Sequence, residues 1–286
     1  MSEQQVIRVL LLGAGVQSTT IALMIHRGEI EPIACAVFAD TQEESAATYK
    51  HLEWLSAEVA PSFPVHIVSQ GKLGADLLEP FTGLGRRIPR IPAFIHSEKP
   101  DAGMVPRQCT EQYKLTPVWK FIRQSLLGLK PGQRRPKDKA IAQLFGLSLD
   151  EPGRVARVRS SVIDSGCLPV FPLFAKALTR RDCIKWLEDY PVPHSVPRSA
   201  CVFCPYKSND EWARIKQADP VSWARAVEVD EGLRVPDVRG NAMLNNKIYL
   251  HRSCKPLVEV DFSSSDQRTG QSTFSFANEC QGMCGV

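Results

Sequence analysis

The chain is apolar from Val6 to Leu12 apart from Arg8, turns on Gly13 to Gly15, and then repeats apolar residues at helical spacing from Ser18 to Arg27. This succession predicts a strand, a tight turn and a helix. Ile33 to Ala39 predicts a second strand, Glu43 to Val59 a helix, and Val65 to Val68 a third strand. Strands alternating with helices pair in parallel, so the expected fold is α/β with a doubly wound parallel sheet.

The pattern lapses between Pro80 and Pro106, where five prolines and three glycines predict a long loop folding over a site. Tyr113 to Leu127 and Lys137 to Leu147 read as helices, and Thr179 can cap another that begins near Arg180 with Asp182 in its first turn. Beyond Pro191 come a CxxC, two short tryptophan-containing helical stretches (Asn209 to Ala218 and Val221 to Glu231) and a polar tail. The expected organisation is a nucleotide-binding domain over 1–190 and a cysteine-rich, metal-binding elaboration over 191–286.

Composition narrows the class. A chain of 286 residues with 43% hydrophobic residues can bury a substantial core. The first apolar run is too short for a signal or membrane segment, so a cytoplasmic protein without membrane contact is expected. Net charge is only +4, yet Lys130 to Lys139 sets five positive charges against Asp138, and Arg154, Arg157 and Arg159 follow. The stretch from Lys130 to Arg159 is either a solvated surface or a guide for a polyanion such as DNA or tRNA.

Nine cysteines, an odd number, argue against a disulfide framework in a reducing compartment. Cys201 and Cys204 can grip one soft metal, and a distant thiol such as Cys109 can complete the set. Cys280 and Cys284 offer further ligands, with Cys254 a weaker one. An all-thiolate zinc site from Cys201, Cys204, Cys280 and Cys284 has acceptable spacing too. Cys35, Cys167 and Cys183 sit among apolar or periodic positions and read as buried structural thiols.

A glycine-rich turn between strand and helix lets backbone N–H groups approach phosphate oxygens at a helix N-terminus. Gly13, Ala14, Gly15, Val16, Gln17 and Ser18 fit that role. No Gly-Lys-Ser/Thr follows, which removes a Walker loop. A dinucleotide fingerprint, with Asp40 as ribose-binding acid, fits the glycines alone.

More residues separate these readings. Gly13 to Ser18, then Phe38-Ala39-Asp40-Thr41, Thr48-Tyr49, and finally Arg107, Cys109, Thr110, Lys114 and Pro117 stand in the order of motifs in the PP-loop superfamily of adenine nucleotide alpha hydrolases. The chain resembles that superfamily over roughly residues 6 to 204, and its phosphoadenosine phosphosulfate reductase-like, or sulfonucleotide reductase, branch in particular. Gly13 and Gln17 depart from the signature's serine and aspartate, leaving Asp40 or Glu43 as candidate carboxylates for Mg2+.

The resemblance implies a HUP-type sheet, ATP at Gly13 to Ser18 with Asp40 and Thr41, and Arg107 and Lys114 facing phosphates or the transferred group. It also implies a 4Fe-4S cluster on Cys109, Cys201 and Cys204, with Cys284 or Cys280 as fourth ligand. The expected activity is an ATP-dependent sulfurtransferase that adenylates a substrate, with a nucleic-acid acceptor and a sulfur-donor protein as partners. The alternative is a sulfonucleotide reductase in which Cys280 attacks sulfur. A non-catalytic nucleotide-binding protein with a zinc knuckle is the third reading.

Overall fold

The computed structural model describes residues 5–82, 88–96, 103–136, 139–164, 167–241 and 248–263. Its opening third alternates strand and helix: β1 (Gln5–Leu12), α1 (Val16–His26), β2 (Cys35–Asp40), α2 (Ala46–Val59), β3 (Val65–Ser69) and α3 (Leu73–Leu78). A two-residue strand, β4 (Phe94–Ile95), precedes α4 (Thr116–Phe121), which is flanked by π-helical turns at Glu111–Leu115 and Ile122–Leu126. Next come β5 (Lys139–Leu144), α5 (Pro152–Asp164), β6 (Leu168–Val170), α6 (Pro172–Ala175) and α7 (Arg180–Glu188). The remainder holds α8 (Asn209–Ala218), α9 (Pro220–Gly232) and β7 (Ile248–Tyr249).

Five strands form one parallel sheet in the order β3-β2-β1-β5-β6. Alternate residues of β1 serve opposite layers, as the pleat requires. Leu10 and Leu12 pack with Ile21 of α1, Leu55 of α2 and Leu187 of α7. Val9 and Leu11 pack with Val118 of α4 and Val155 and Val162 of α5. Helices therefore cover both faces, as the early strand and helix pattern predicts.

One expected element is corrected. Lys137 to Leu147 reads as a helix, but Lys139–Leu144 is an interior strand of the sheet, paired with β1 from Gln5↔Lys139 to Leu10↔Leu144. Ala140, Ile141, Ala142, Gln143 and Leu144 are all buried. A strand covered on both faces shows an unbroken apolar run, which periodicity alone cannot tell from a buried helix.

Residues beyond Pro191 share a core with earlier ones. Phe203, Trp212, Val229 and Leu250 join Leu73 and Leu77 of α3, Ile91, Val105 and Tyr113 in one apolar cluster. Phe94 pairs with Tyr249 and Ile95 with Ile248 in an antiparallel ribbon. Ile91, Ala93 and Val105 of the proline-rich stretch thus pack into this second core. Asp230 fixes its far side: fully buried, it accepts the N–H groups of Leu250 and Leu257 at 2.9 and 3.0 Å and pairs with Arg234. Among the described residues no helix is long and apolar enough to cross a membrane.

Candidate functional site

The chain leaves β1 toward β2 on one side and returns to β5 on the other, so the strand order reverses beside β1. Ligands of open α/β sheets bind outside the carboxyl ends of the strands at such a point. Gly13 to Gly15 leaves β1 there, and Phe145 to Ser148 leaves β5. The two connections touch: a Cβ on Gly146 would lie 3.1 Å from the Ser18 nitrogen.

Ser18 folds the loop. Its Oγ accepts the Gly13 and Gly15 N–H groups at 3.2 and 3.3 Å. Ala14 takes a left-handed φ of 56°, costly for a residue with a side chain. The first turn of α1 carries no acidic residue, which keeps the field of the helix N-terminus positive.

Gln17 does not face the open side of the loop. It is buried, and its amide donates to Glu151 Oε2 at 2.8 Å and Ser148 Oγ at 3.1 Å. Glu151 Oε2 also accepts the Ser148 N–H and hydroxyl, while Oε1 pairs with Arg154. Both oxygens of the Glu151 carboxylate therefore accept protein donors.

The turn after β2 brings the thiols to this edge. Thr41 Oγ1 lies 3.2 Å from Cys201 Sγ, and Glu44 Oε1 lies 3.9 Å from the same sulfur. The Val202 N–H donates to the Glu43 carbonyl at 2.7 Å, and Lys207 Nζ donates to the Cys201 carbonyl at 3.0 Å. Two residues before Cys201, Ser199 stands against the Gly13 to Gly15 loop, its Cβ 3.3 Å from where a Cβ on Gly15 would be.

Other expected site residues take other partners. Asp40 Oδ1 accepts the Gln42 N–H at 2.7 Å and the Tyr49 hydroxyl at 2.8 Å. Glu43 is held by Arg225 at 3.0 and 2.6 Å and by the Gly74 N–H at 3.1 Å, so both its oxygens already accept protein donors. Lys114 is buried, with Nζ 3.5 Å from Glu44 Oε1. Arg107 lies over the Tyr206 ring at 5.8 Å, joining the Cys109 segment to the CxxC loop.

Cys109, Cys201 and Cys204 border the second apolar core together. Their soft thiolates suit iron–sulfur or zinc chemistry. Among the described residues no group of three or more His, Cys, Asp or Glu is placed so that it could hold a metal ion. Cys280 and Cys284 lie outside the described residues. Cys35 and Cys183 are buried, and burial pushes their thiols up to about 11 and about 12, as expected of inert structural cysteines.

The basic run is divided by β5. Lys130, Arg134 and Arg135 precede the strand at its amino end, opposite the phosphate loop, while Arg154 follows its carboxyl end in the first turn of α5. Arg154 is buried in its pair with Glu151.

One cluster carries no sequence signal. His51 of α2 is buried, with Nε2 2.9 Å from Thr19 Oγ1 and Nδ1 3.0 Å from His194 Nε2. Val192, His194 and Ser199 thus lead the chain across α1 to the phosphate loop, with Val192 packed on the first core. His194 is half-buried in this contact. Only a conserved distant pair could have signalled it.

No protein-family model, curated protein or solved structure matches the chain.

Proposed function

We propose that the chain is an adenine-nucleotide enzyme of the PP-loop, HUP-type class that couples nucleotide activation to sulfur transfer. The observation that carries this reading is that Cys201 is hydrogen-bonded to Thr41 and follows Ser199, which abuts Gly15. Thiol and phosphate loop then belong to one crevice.

In this reading ATP phosphates lie on the backbone of Gly13 to Ser18, where the N-terminus of α1 favours negative charge. Of the two candidate carboxylates, Asp40 would hold Mg2+, since both Glu43 oxygens already accept protein donors. An acceptor carbonyl oxygen attacks the α-phosphorus, and the bond to pyrophosphate breaks. A sulfur nucleophile then forms a C–S bond as the C–O bond to AMP breaks. Cys109, Cys201 and Cys204 do not converge on one point in the structure; drawn together and joined by Cys284 they would hold a 4Fe-4S cluster, which would supply an iron able to carry sulfur. Lys114 acts through Glu44 on the thiol side rather than on phosphate.

The burial of Gln17 against Glu151 favours a second reading. A loop without a free carboxylate suits a substrate that is already activated, as adenylyl sulfate is: Cys280 attacks sulfur as the bond to AMP breaks, and a second thiol such as Cys284 then displaces sulfite and forms a disulfide with Cys280. Anaerobically purified protein separates these readings. Sulfur transfer predicts iron together with ATP-dependent pyrophosphate release; reduction predicts sulfite release from adenylyl sulfate; a colourless zinc protein with neither activity overturns both.

A further inference from the structure

Ser199 is 5% exposed, and among the described residues no group hydrogen-bonds its Oγ. A buried hydroxyl ordinarily has a partner, and one left without it destabilises the fold. The chain around it is firmly held. Arg198 pairs with Glu211 and donates to the Tyr206 carbonyl at 3.0 Å, and the Val202 N–H donates to the Glu43 carbonyl at 2.7 Å. Ser199 is thus fixed from both sides while its hydroxyl goes unused.

Alternate residues of this segment turn to different neighbours. Arg198, Ala200 and Val202 line a cavity of about 290 Å³. Ser199 and Cys201 instead meet Gly15 and Thr41. The first of these contacts is close: Ser199 Cβ and its backbone nitrogen lie 3.3 and 3.5 Å from where a Cβ on Gly15 would be. A larger residue at Gly15 would press on the segment.

Gly15 is also the N-cap of α1, a helix of 11 residues. It has no side chain to offer, and the N–H groups of a helix's first turn lack acceptors within the helix. That turn carries no acidic residue, and Glu151, which Gln17 reaches, already accepts from Gln17, Ser148 and Arg154. A helix end rich in donors and a buried hydroxyl able to donate call for the same ligand, one that brings anionic oxygens.

We propose that the Ser199 hydroxyl donates to a phosphate oxygen held at the N-terminus of α1, so that one ligand group ties the Cys201 segment to the Gly13 to Gly15 loop. That a nucleotide supplies the phosphate rests on the reading above; the demand of Ser199 for an acceptor does not. The test titrates full-length protein with inorganic pyrophosphate and with ATP and Mg2+ by calorimetry, and measures melting temperatures without ligand. Ser199→Ala should weaken whichever probe binds at least fivefold. Its melting temperature without ligand should equal or exceed that of the wild type, because the variant loses only an unpaired polar atom.

Unchanged affinity in Ser199→Ala would overturn the proposal and leave the nucleotide reading standing. A melting temperature lowered by several degrees would also overturn it, since the hydroxyl would then serve the fold itself. Pyrophosphate binding that depends on Ser199, without any binding of ATP, would uphold the proposal and remove the nucleotide reading. Failure of the wild type to bind either probe would remove both.

Discussion

Thr41 Oγ1 stands 3.2 Å from Cys201 Sγ, so the residue that follows β2 and the first thiol of the CxxC meet across the edge where the phosphate loop begins. The contact is buried, and it is backed by the bond from the Val202 N–H to the Glu43 carbonyl. Thr41→Val keeps the shape and removes the hydroxyl. It should cost about 1 kcal/mol of stability. It should also raise the alkylation rate of Cys201 severalfold, whereas Thr41→Ser should leave both near wild type.

Gln17 and Glu151 make a second joint, between the phosphate loop and the connection that follows β5. Restoring an acid by Gln17→Glu would set two carboxylates face to face in a buried setting, at a cost of about 2–4 kcal/mol. Adding Glu151→Gln should recover at least half of that loss. A double-mutant cycle in urea measures the coupling, and additive losses would show that the two side chains do not interact.

Two glycines near β5 should respond in opposite ways. A Cβ at Gly146 would press on Ser18 at 3.1 Å from its nitrogen and 3.3 Å from its Cα, so Gly146→Ala should shift the phosphate loop and weaken ATP binding about tenfold. Gly153 lies in α5 with no atom within 4 Å of such a Cβ. Gly153→Ala should raise stability by about 0.5–1 kcal/mol and leave nucleotide affinity unchanged.

Burial, helped by His194, lowers the pKa of His51 from 6.5 to about 4. The unfolded chain therefore binds the extra proton first, and stability falls as pH drops from 6.5 toward 4. Through this group the protein should be about 2 kcal/mol less stable at pH 5 than at pH 7. Urea midpoints at the two pH values check this, and His51→Gln should flatten the difference.

The sequence was legible where short-range pattern decides structure. The strand over Val6 to Leu12, the turn at Gly13 to Gly15, and the helix capped by Thr179 announce themselves through period and capping chemistry. The strand at Lys139–Leu144 was not legible, because burial on both faces erases alternation. Nor was α5, whose Val155, Val158 and Val162 are interleaved with arginines that read first as charge. At the site, the loop and the CxxC could be found from spacing. The burial of Gln17 on Glu151, of Lys114 on Glu44 and of His51 on His194 could not, since each pair joins residues from separate elements.

The central claim is that the phosphate loop and the CxxC thiols form one site. Its most direct measurement is site-resolved alkylation of Cys201 and Cys204 by iodoacetamide, read by mass spectrometry on anaerobically purified protein with and without ATP and Mg2+. Saturating ATP should change labelling of Cys201 at least fivefold while Cys254, on a separate turn, is unaffected. Labelling of Cys201 that stays the same while ATP is shown to bind would contradict it.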